Sequence, residues 1–136
     1  MCAAPAIHLN EEYFRERKVV LFDMTVFVKD GMVGHVLENH NPGEYVRVSR
    51  DQIGKITLRL ADDEETNGYK FLDLMFEDDH RGACRAIRLG DRGFMIWDNN
   101  IRGKGFDPEV IKYTIVLQSF DNEFDTPHED PIIIND

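Results

Sequence analysis

The chain has 136 residues, of which 42% are hydrophobic, and its 26 acidic and 16 basic residues give a formal net charge of −10 at pH 7. Such a length suits one domain with one sizeable core, and the acidic balance excludes non-specific binding to nucleic acid or to a membrane surface, which needs a basic face. Two cysteines are too few for a disulfide framework, and no stretch approaches the about 18 apolar residues of a membrane span. The sequence therefore predicts a soluble cytoplasmic protein.

Residues 1–18 are predicted to form an N-terminal arm or a short helix ahead of a single domain, residues 19–136. Asn10 can cap one or two helical turns, because Glu11 and Glu12 follow it and suit the positive end of a helix dipole. No internal repeat or low-complexity linker divides the remaining sequence.

Alternation of apolar and polar residues with period two dominates residues 19–136, as in half-buried strands. The stretch VVLFDMTVFVKD alternates in this way and ends on Asp30-Gly31, a dipeptide that suits the positive φ angles of a two-residue hairpin turn before MVGHVLE. Further strands are predicted in ITLRL, YKFLDLMF, CRAIRL, FMIW, KYTIVLQSF and PIIIN. The residues predicted to share one face of their strands are Phe22, Met24, Val26, Val28, Ile56, Leu58, Leu60, Leu72, Leu74, Phe76, Tyr113, Ile115 and Leu117.

Short strands separated by turn signals are typical of an immunoglobulin-like antiparallel β-sandwich, here of about seven to nine strands. Tyr113 begins a strand after a long loop, where such sandwiches place a corner tyrosine whose hydroxyl bonds to nearby backbone; a tyrosine that fills ordinary core space is the alternative. PIIIN, residues 131–135, is predicted to be a closing strand that covers a sheet edge.

The combination GFDPEVIKYTIVLQSFDNEF and EDPIIIND resembles the DP-EP family, a small group of uncharacterised bacterial proteins. The ending DPIIIND is also similar to that of the longer bacterial inclusion-body proteins of the PixA type. The resemblance covers mainly residues 94–136. It implies an immunoglobulin-like sandwich of bacterial origin with no assigned reaction and no catalytic residues.

Cys84 is the best candidate nucleophile in the sequence. His80, Arg81, Arg85 and Arg88 are close to it in sequence and could stabilise its thiolate, which would make it redox-active. The alternative is a small buried strand residue, as free cysteines usually are. No phosphate loop, dinucleotide fingerprint or zinc spacing supports an enzyme, and no cofactor is predicted apart from the calcium of the alternative that follows.

Clusters of acidic residues in the loops offer a calcium-binding or small-ligand-binding alternative. Calcium takes about six to eight oxygen ligands, and loops at one end of a sandwich could converge to supply them. No EF-hand pattern is present, and acidic loops are commonly solvated surface. The candidate ligands are Asp98, Asp121 and Asp125.

Charge is segregated along the chain. From Arg81 to Lys104 there are six basic and two acidic residues, whereas residues 121–136 contain six acids and no lysine or arginine. A basic hairpin and an acidic end can join two copies of the chain, hold an anionic ligand or pair internally.

Met95 and Trp97 share one face of the strand FMIW beside this basic hairpin. That face is either packed in the core or directed to solvent, and in the second case Trp97 is an interface anchor, because Trp is enriched at interface hot spots. The sequence therefore predicts a non-enzymatic binding protein that self-associates into a homodimer. The predicted interface residues are Met95, Trp97, Arg85, Arg88 and Arg92.

Overall fold

The computed structural model describes residues 18–100 and 107–136, and within these ranges the protein is all-β. The predicted arm, Cys2, Arg102 and Lys104 lie outside the described residues, apart from Lys18 at the end of the arm. The strands are β1 Val19–Lys29, β2 Met32–Leu37, β3 Val46–Val48, β4 Ile53–Leu60, β5 Tyr69–Glu77, β6 Cys84–Arg88, β7 Gly93–Asn99, β8 Glu109–Ser119, β9 His128–Glu129 and β10 Ile132–Asn135. A 3-10 turn, Thr66–Gly68, precedes β5.

The strands form two five-stranded sheets. Sheet A has the order β2-β1-β4-β7-β6, and sheet B has the order β3-β10-β8-β5, with β9 pairing with β8. Both sheets are mixed, because β1 pairs with β4 and β10 pairs with β3 in parallel. The predicted purely antiparallel arrangement is therefore wrong at these two pairs, which join strands that are distant in sequence and leave no hairpin signal.

The two sheets share one hydrophobic core in a sandwich-like arrangement. Across it, the rings of Phe71 on β5 and Phe94 on β7 meet edge to face at 5.3 Å. The Tyr113 hydroxyl on β8 donates to Met24 Sδ on β1 at 3.5 Å. Tyr113 thus fills core space and bridges the sheets, and its hydroxyl does not make the backbone bond of a corner tyrosine.

The turn between β1 and β2 agrees with its sequence. Asp30 and Gly31 have φ angles of 53° and 78°, which are the two positive values of a type I′ turn, and Lys29 pairs with Met32. The core positions predicted on β1 and β4 are buried, as are those on β8.

The predicted face of β5 is wrong at Leu72. The register of β5 against β8 shifts between Phe71 and Asp73, so Phe71 and Leu74 are buried while Leu72 points outward. A β-bulge places two residues opposite one and reverses the alternation from that point, which a period-two pattern cannot reveal.

β10 is a strand, as predicted, and it covers the edge of β8. Its other side pairs with β3, so one edge of sheet B is the three-residue strand Val46–Val48. A very short edge strand exposes few unpaired backbone groups. Among the described residues, no helix is long and apolar enough to cross a membrane.

Candidate interaction face and a buried polar cluster

An apolar patch lies on the outer face of sheet A, centred on Trp97. The cross-strand register aligns Leu21, Lys55, Trp97 and Arg85 in one row across β1, β4, β7 and β6. Leu21 is 68% exposed, and Lys55 Nζ lies 5.6 Å from the centre of the Trp97 ring. An exposed leucine and a half-buried tryptophan thus occupy one continuous row.

The neighbouring rows extend this patch. Met95 pairs with Ile87 on one side, and Val19 pairs with Ile53 on the other. Ile87 is 49% exposed, and Val19 is similarly exposed. We call this surface the sheet A patch; its residues are Val19, Leu21, Ile53, Ile87, Met95 and Trp97.

Sequence reasoning placed Met95 and Trp97 on one face, and the structure agrees: Phe94 and Ile96 are buried while Met95 and Trp97 are half-buried on the opposite face. Arg85 lies beside Trp97 on that face. The four other patch residues were missed. Alternation alone shows that Leu21 points away from the core, but only the long-range β1–β4 pairing places it near Trp97.

Arg88, a predicted interface residue, is held internally. Its guanidinium donates to the carbonyl oxygens of Phe71 at 2.9 Å and Leu72 at 2.7 Å, and it lies 5.0 Å from the centre of the Phe94 ring. These contacts tie the edge of sheet A to the edge of sheet B. Reversing the charge of Arg88 would therefore change stability before it changed association.

Arg92 is also engaged within the fold. Its Nη2 donates to the Ala61 carbonyl oxygen at 2.7 Å and to Asn67 Oδ1 at 3.0 Å, in the loops beyond β4. The structure thus brings Met95, Trp97 and Arg85 together and leaves Arg88 and Arg92 off the outer face.

The three predicted calcium ligands are not brought together. Asp98 lies near the end of β7, where it is linked to the start of β8 through Asn135, which pairs with Glu109. Asp121 and Asp125 follow the far end of β8, ten residues along a strand with a rise of about 3.3 Å per residue, which is roughly 33 Å away. A single site that uses all three carboxylates is excluded by this separation.

Asp125 has a different contact. The Tyr69 hydroxyl donates to Asp125 Oδ2 at 2.7 Å, and this carboxylate raises the pKa of Tyr69 to about 12. Within residues 18–100 and 107–136, no three His, Cys, Asp or Glu side chains are arranged to hold a metal ion.

Asp98 belongs instead to a buried polar cluster at the end of the core. It is fully buried, and its Oδ1 accepts a hydrogen bond from Asn135 Nδ2 at 3.0 Å. Burial raises the pKa of Asp98 to about 6; the Asn135 bond acts against this rise, and the Asp79 charge adds to it.

Cys84 pairs with Asp98 across β6 and β7 and is also buried. Burial raises the pKa of the Cys84 thiol far above its ordinary value, and the charges of Asp98 and Asp79 act in the same direction. The thiolate is therefore disfavoured, contrary to the predicted stabilisation by nearby arginines, and Cys84 is a small buried strand residue.

A surface cleft of about 520 Å³ opens beside the loop that connects β2 to β3, and it is lined by Phe22, His40, Gly43, Glu44, Tyr45 and Arg47. Two of its polar side chains have partners in the fold. His40 Nδ1 lies 2.8 Å from the Glu38 carbonyl oxygen, and Arg47 Nη1 lies 3.3 Å from the Asp136 carboxylate.

Comparison of the sequence with models of known protein families gives no match. No curated protein shows significant similarity to the chain. Function must therefore be argued from the two features described above, the sheet A patch and the buried polar cluster.

Proposed function

We propose that the protein is a non-enzymatic binding protein that self-associates through the outer face of sheet A. The observation that carries this proposal is the sheet A patch, in which Leu21 and Ile87 are 68% and 49% exposed on either side of Trp97. Contiguous exposed apolar surface on a folded domain commonly marks an interaction site. A tryptophan at its centre is typical of an interface hot spot.

The order of residues across the patch favours a second copy as the partner. A two-fold axis parallel to the strands, between β4 and β7, would exchange β4 with β7 and β1 with β6 in a face-to-face dimer. It would bring Trp97 of each copy towards Lys55 of the other. In the same exchange Leu21 on β1 would face Arg85 on β6, and Asp23 on β1 would face Ile87 on β6.

The experiment is sedimentation velocity of the full chain from 5 to 100 μM. The expected wild-type mass is twice the 15.8 kDa of the monomer. Leu21→Asp, which places a charge in the patch, should sediment as a monomer. The matched control is Val110→Asp, because Val110 is 54% exposed on the outer face of sheet B, and it should remain a dimer.

A wild-type protein that stays monomeric at 100 μM would contradict the proposal. Equal weakening by Leu21→Asp and Val110→Asp would contradict the choice of sheet A. Urea unfolding of each variant separates loss of association from loss of folding, because both substitutions lie at exposed positions and should change stability little.

The immunoglobulin-like topology, the bacterial DP-EP relationship and the cytoplasmic location belong to the same proposal. Two facing sheets around one core and a short final strand beside β8 support the topology. The residues quoted from positions 94–136 support the relationship. An experimental structure with a different strand order in sheet B would count against both.

A further inference from the structure

Asp98 and Asn135 join the two sheets at the end of the core where the chain finishes. Asp98 lies on β7 of sheet A and Asn135 on β10 of sheet B, and their relative exposures are 0% and 1%. One hydrogen bond connects them, from Asn135 Nδ2 to Asp98 Oδ1 at 3.0 Å. The other oxygen of each side chain, Asp98 Oδ2 and Asn135 Oδ1, is buried and has no hydrogen-bond partner in the described part of the chain.

These two oxygens can bond to each other only if they share a proton. An ionised carboxylate and an amide oxygen are both acceptors, so neither can satisfy the other, and each unpaired buried acceptor destabilises the fold. A protonated carboxyl group has one O–H donor. A planar acid and a planar amide that already share one N–H···O bond can then close a ring with a second bond, O–H···O.

We propose that Asp98 and Asn135 form a proton-dependent clasp between the two sheets, in which a single proton on Asp98 Oδ2 is donated to Asn135 Oδ1. That one proton satisfies both unpaired oxygens and removes a buried charge. When the proton leaves, the clasp keeps only the bond from Nδ2, and Asp98 carries a buried charge whose other donor is the weak Cys84 thiol.

Burial and the acidic groups that face Asp98 favour the proton, whereas the hydrogen bond from the Cys84 thiol, like that from Asn135, favours the ionised form. The Cys84 thiol faces it from β6, Asp79 from the loop before β6, and Glu109 from β8. Asp79 accepts hydrogen bonds from the backbone of Cys84 and its neighbour, and Glu109 is bound to Arg81 at 2.8 Å. Arg81, the cation that the described residues place beside this cluster, is therefore engaged by Glu109. Burial raises the pKa of Asp98 to about 6, and the Asp79 and Glu109 charges act in the same direction.

β3 and β4 add apolar cover without charge. Gly54 lies opposite Asp98 in the β4–β7 register, and a Cβ atom at Gly54 would stand 2.6 Å from Val48 Cγ2. The missing side chain lets Val48 pack directly over this end of sheet A. Water is thereby kept from the pair, and the cost of charging Asp98 is high.

The sign of the pH dependence follows from the raised pKa. Asp98 has a higher pKa in the folded state than its ordinary 3.8, so its contribution to stability is complete below pH 3.8 and is lost as the pH rises through about 6. Trp97, the only tryptophan, is adjacent to Asp98 on β7 and can report the change by its fluorescence.

The test compares urea unfolding of the wild type, Asp98→Asn and Asp121→Asn at pH values from 5.5 to 8. The asparagine amide at position 98 can donate to Asn135 Oδ1 at every pH, so this variant has a permanently closed clasp. At pH 8 its urea midpoint should exceed that of the wild type by about 1 M, and the gain should shrink towards pH 5.5. Asp121→Asn, which makes the same charge change in an exposed loop, should follow the wild type.

A lower midpoint for Asp98→Asn than for the wild type at pH 8, including failure to fold, would overturn the proposal. So would a gain that does not change with pH. The wild type supplies an independent readout, because its Trp97 fluorescence should show a transition near pH 6 that is absent in Asp98→Asn. A wild-type fluorescence that is constant from pH 5 to 7 would also overturn it.

Discussion

The carboxyl groups at the two ends of the core have pKa values shifted in opposite directions. At the Asp98 end, a fully buried carboxyl group has one donor and an unpaired oxygen. At the opposite end, which we call the Asp63 end, Asp63 Oδ1 accepts a hydrogen bond from the Thr66 backbone N–H at 2.8 Å. That bond holds the pKa of Asp63 below its ordinary value, whereas burial raises the pKa of Asp98.

The difference shows how solvent access decides the charge state of a carboxyl group. At the Asp63 end, a hydrogen-bond donor and the surrounding solvent stabilise the ionised carboxylate. At the Asp98 end, the hydrogen bond from Asn135 does not offset the loss of solvation caused by burial. The Asp63 end is therefore suited to permanent charges on its surface. The Asp98 end is suited to a group that gains and loses a proton.

The two ends should also differ in packing density, and a glycine-to-alanine substitution at each end tests this. Gly54→Ala should destabilise the protein by about 3 kcal/mol, because its Cβ would stand 2.6 Å from Val48 Cγ2 inside the core. Gly68→Ala, beside Tyr69 at the Asp63 end, meets nothing within 4 Å and should change the free energy of unfolding by less than about 0.5 kcal/mol. Equal losses for the two variants in urea unfolding would show that the ends are packed alike.

Thr66 is the buried polar group of the Asp63 end, and it is fully paired. Its Oγ1 accepts a hydrogen bond from Val28 N at 3.0 Å and donates to Val28 O at 3.4 Å. Thr66→Val should cost about 2 kcal/mol of unfolding free energy, because it leaves the Val28 N–H without its acceptor. Thr66→Ser keeps the hydroxyl and should lose about half as much, through the missing methyl group.

Removal of the buried polar group at Thr66 is therefore expected to lower the free energy of unfolding, whereas removal of the charge at Asp98 is expected to raise it. A gain on Thr66→Val would contradict the contrast between the two ends. Thermal unfolding at pH 7 is sufficient to measure it.

The smallest effect is expected from Asp63→Asn. Because the folded-state pKa of Asp63 is lowered, its contribution is present above pH 3.8 and is lost as the pH falls through the folded value. An asparagine oxygen can still accept the Thr66 bond, so the variant should lose this acid sensitivity while remaining close to the wild type at pH 7. Acid unfolding curves of the two proteins that superimpose below pH 3.8 would contradict the assignment.

The local structure of this protein could be predicted from its sequence wherever alternation and turn chemistry act alone. Asp30-Gly31 and the core faces of β1, β4 and β8 are examples. The bulge at Leu72 and the two parallel pairs could not be predicted, because they depend on contacts between distant strands.

The same limit applies to the candidate sites. Trp97 and Met95 could be assigned to one strand face, but Leu21 joins them only through the β1–β4 pair. The role of Asp98 was hidden because its partner, Asn135, is 37 residues away on the other sheet. A carboxylate beside a tryptophan gives no sign in the sequence that it is buried against an amide.

The most direct measurement is an NMR titration of the Asp98 side-chain carboxyl carbon in the wild type, from pH 3 to 8, with Asp98→Asn used to assign the signal. A clasp that holds its proton in the core predicts a midpoint at about pH 6. A midpoint at or below about 4, the ordinary value for an aspartate, would show that Asp98 is ionised throughout and would contradict the account.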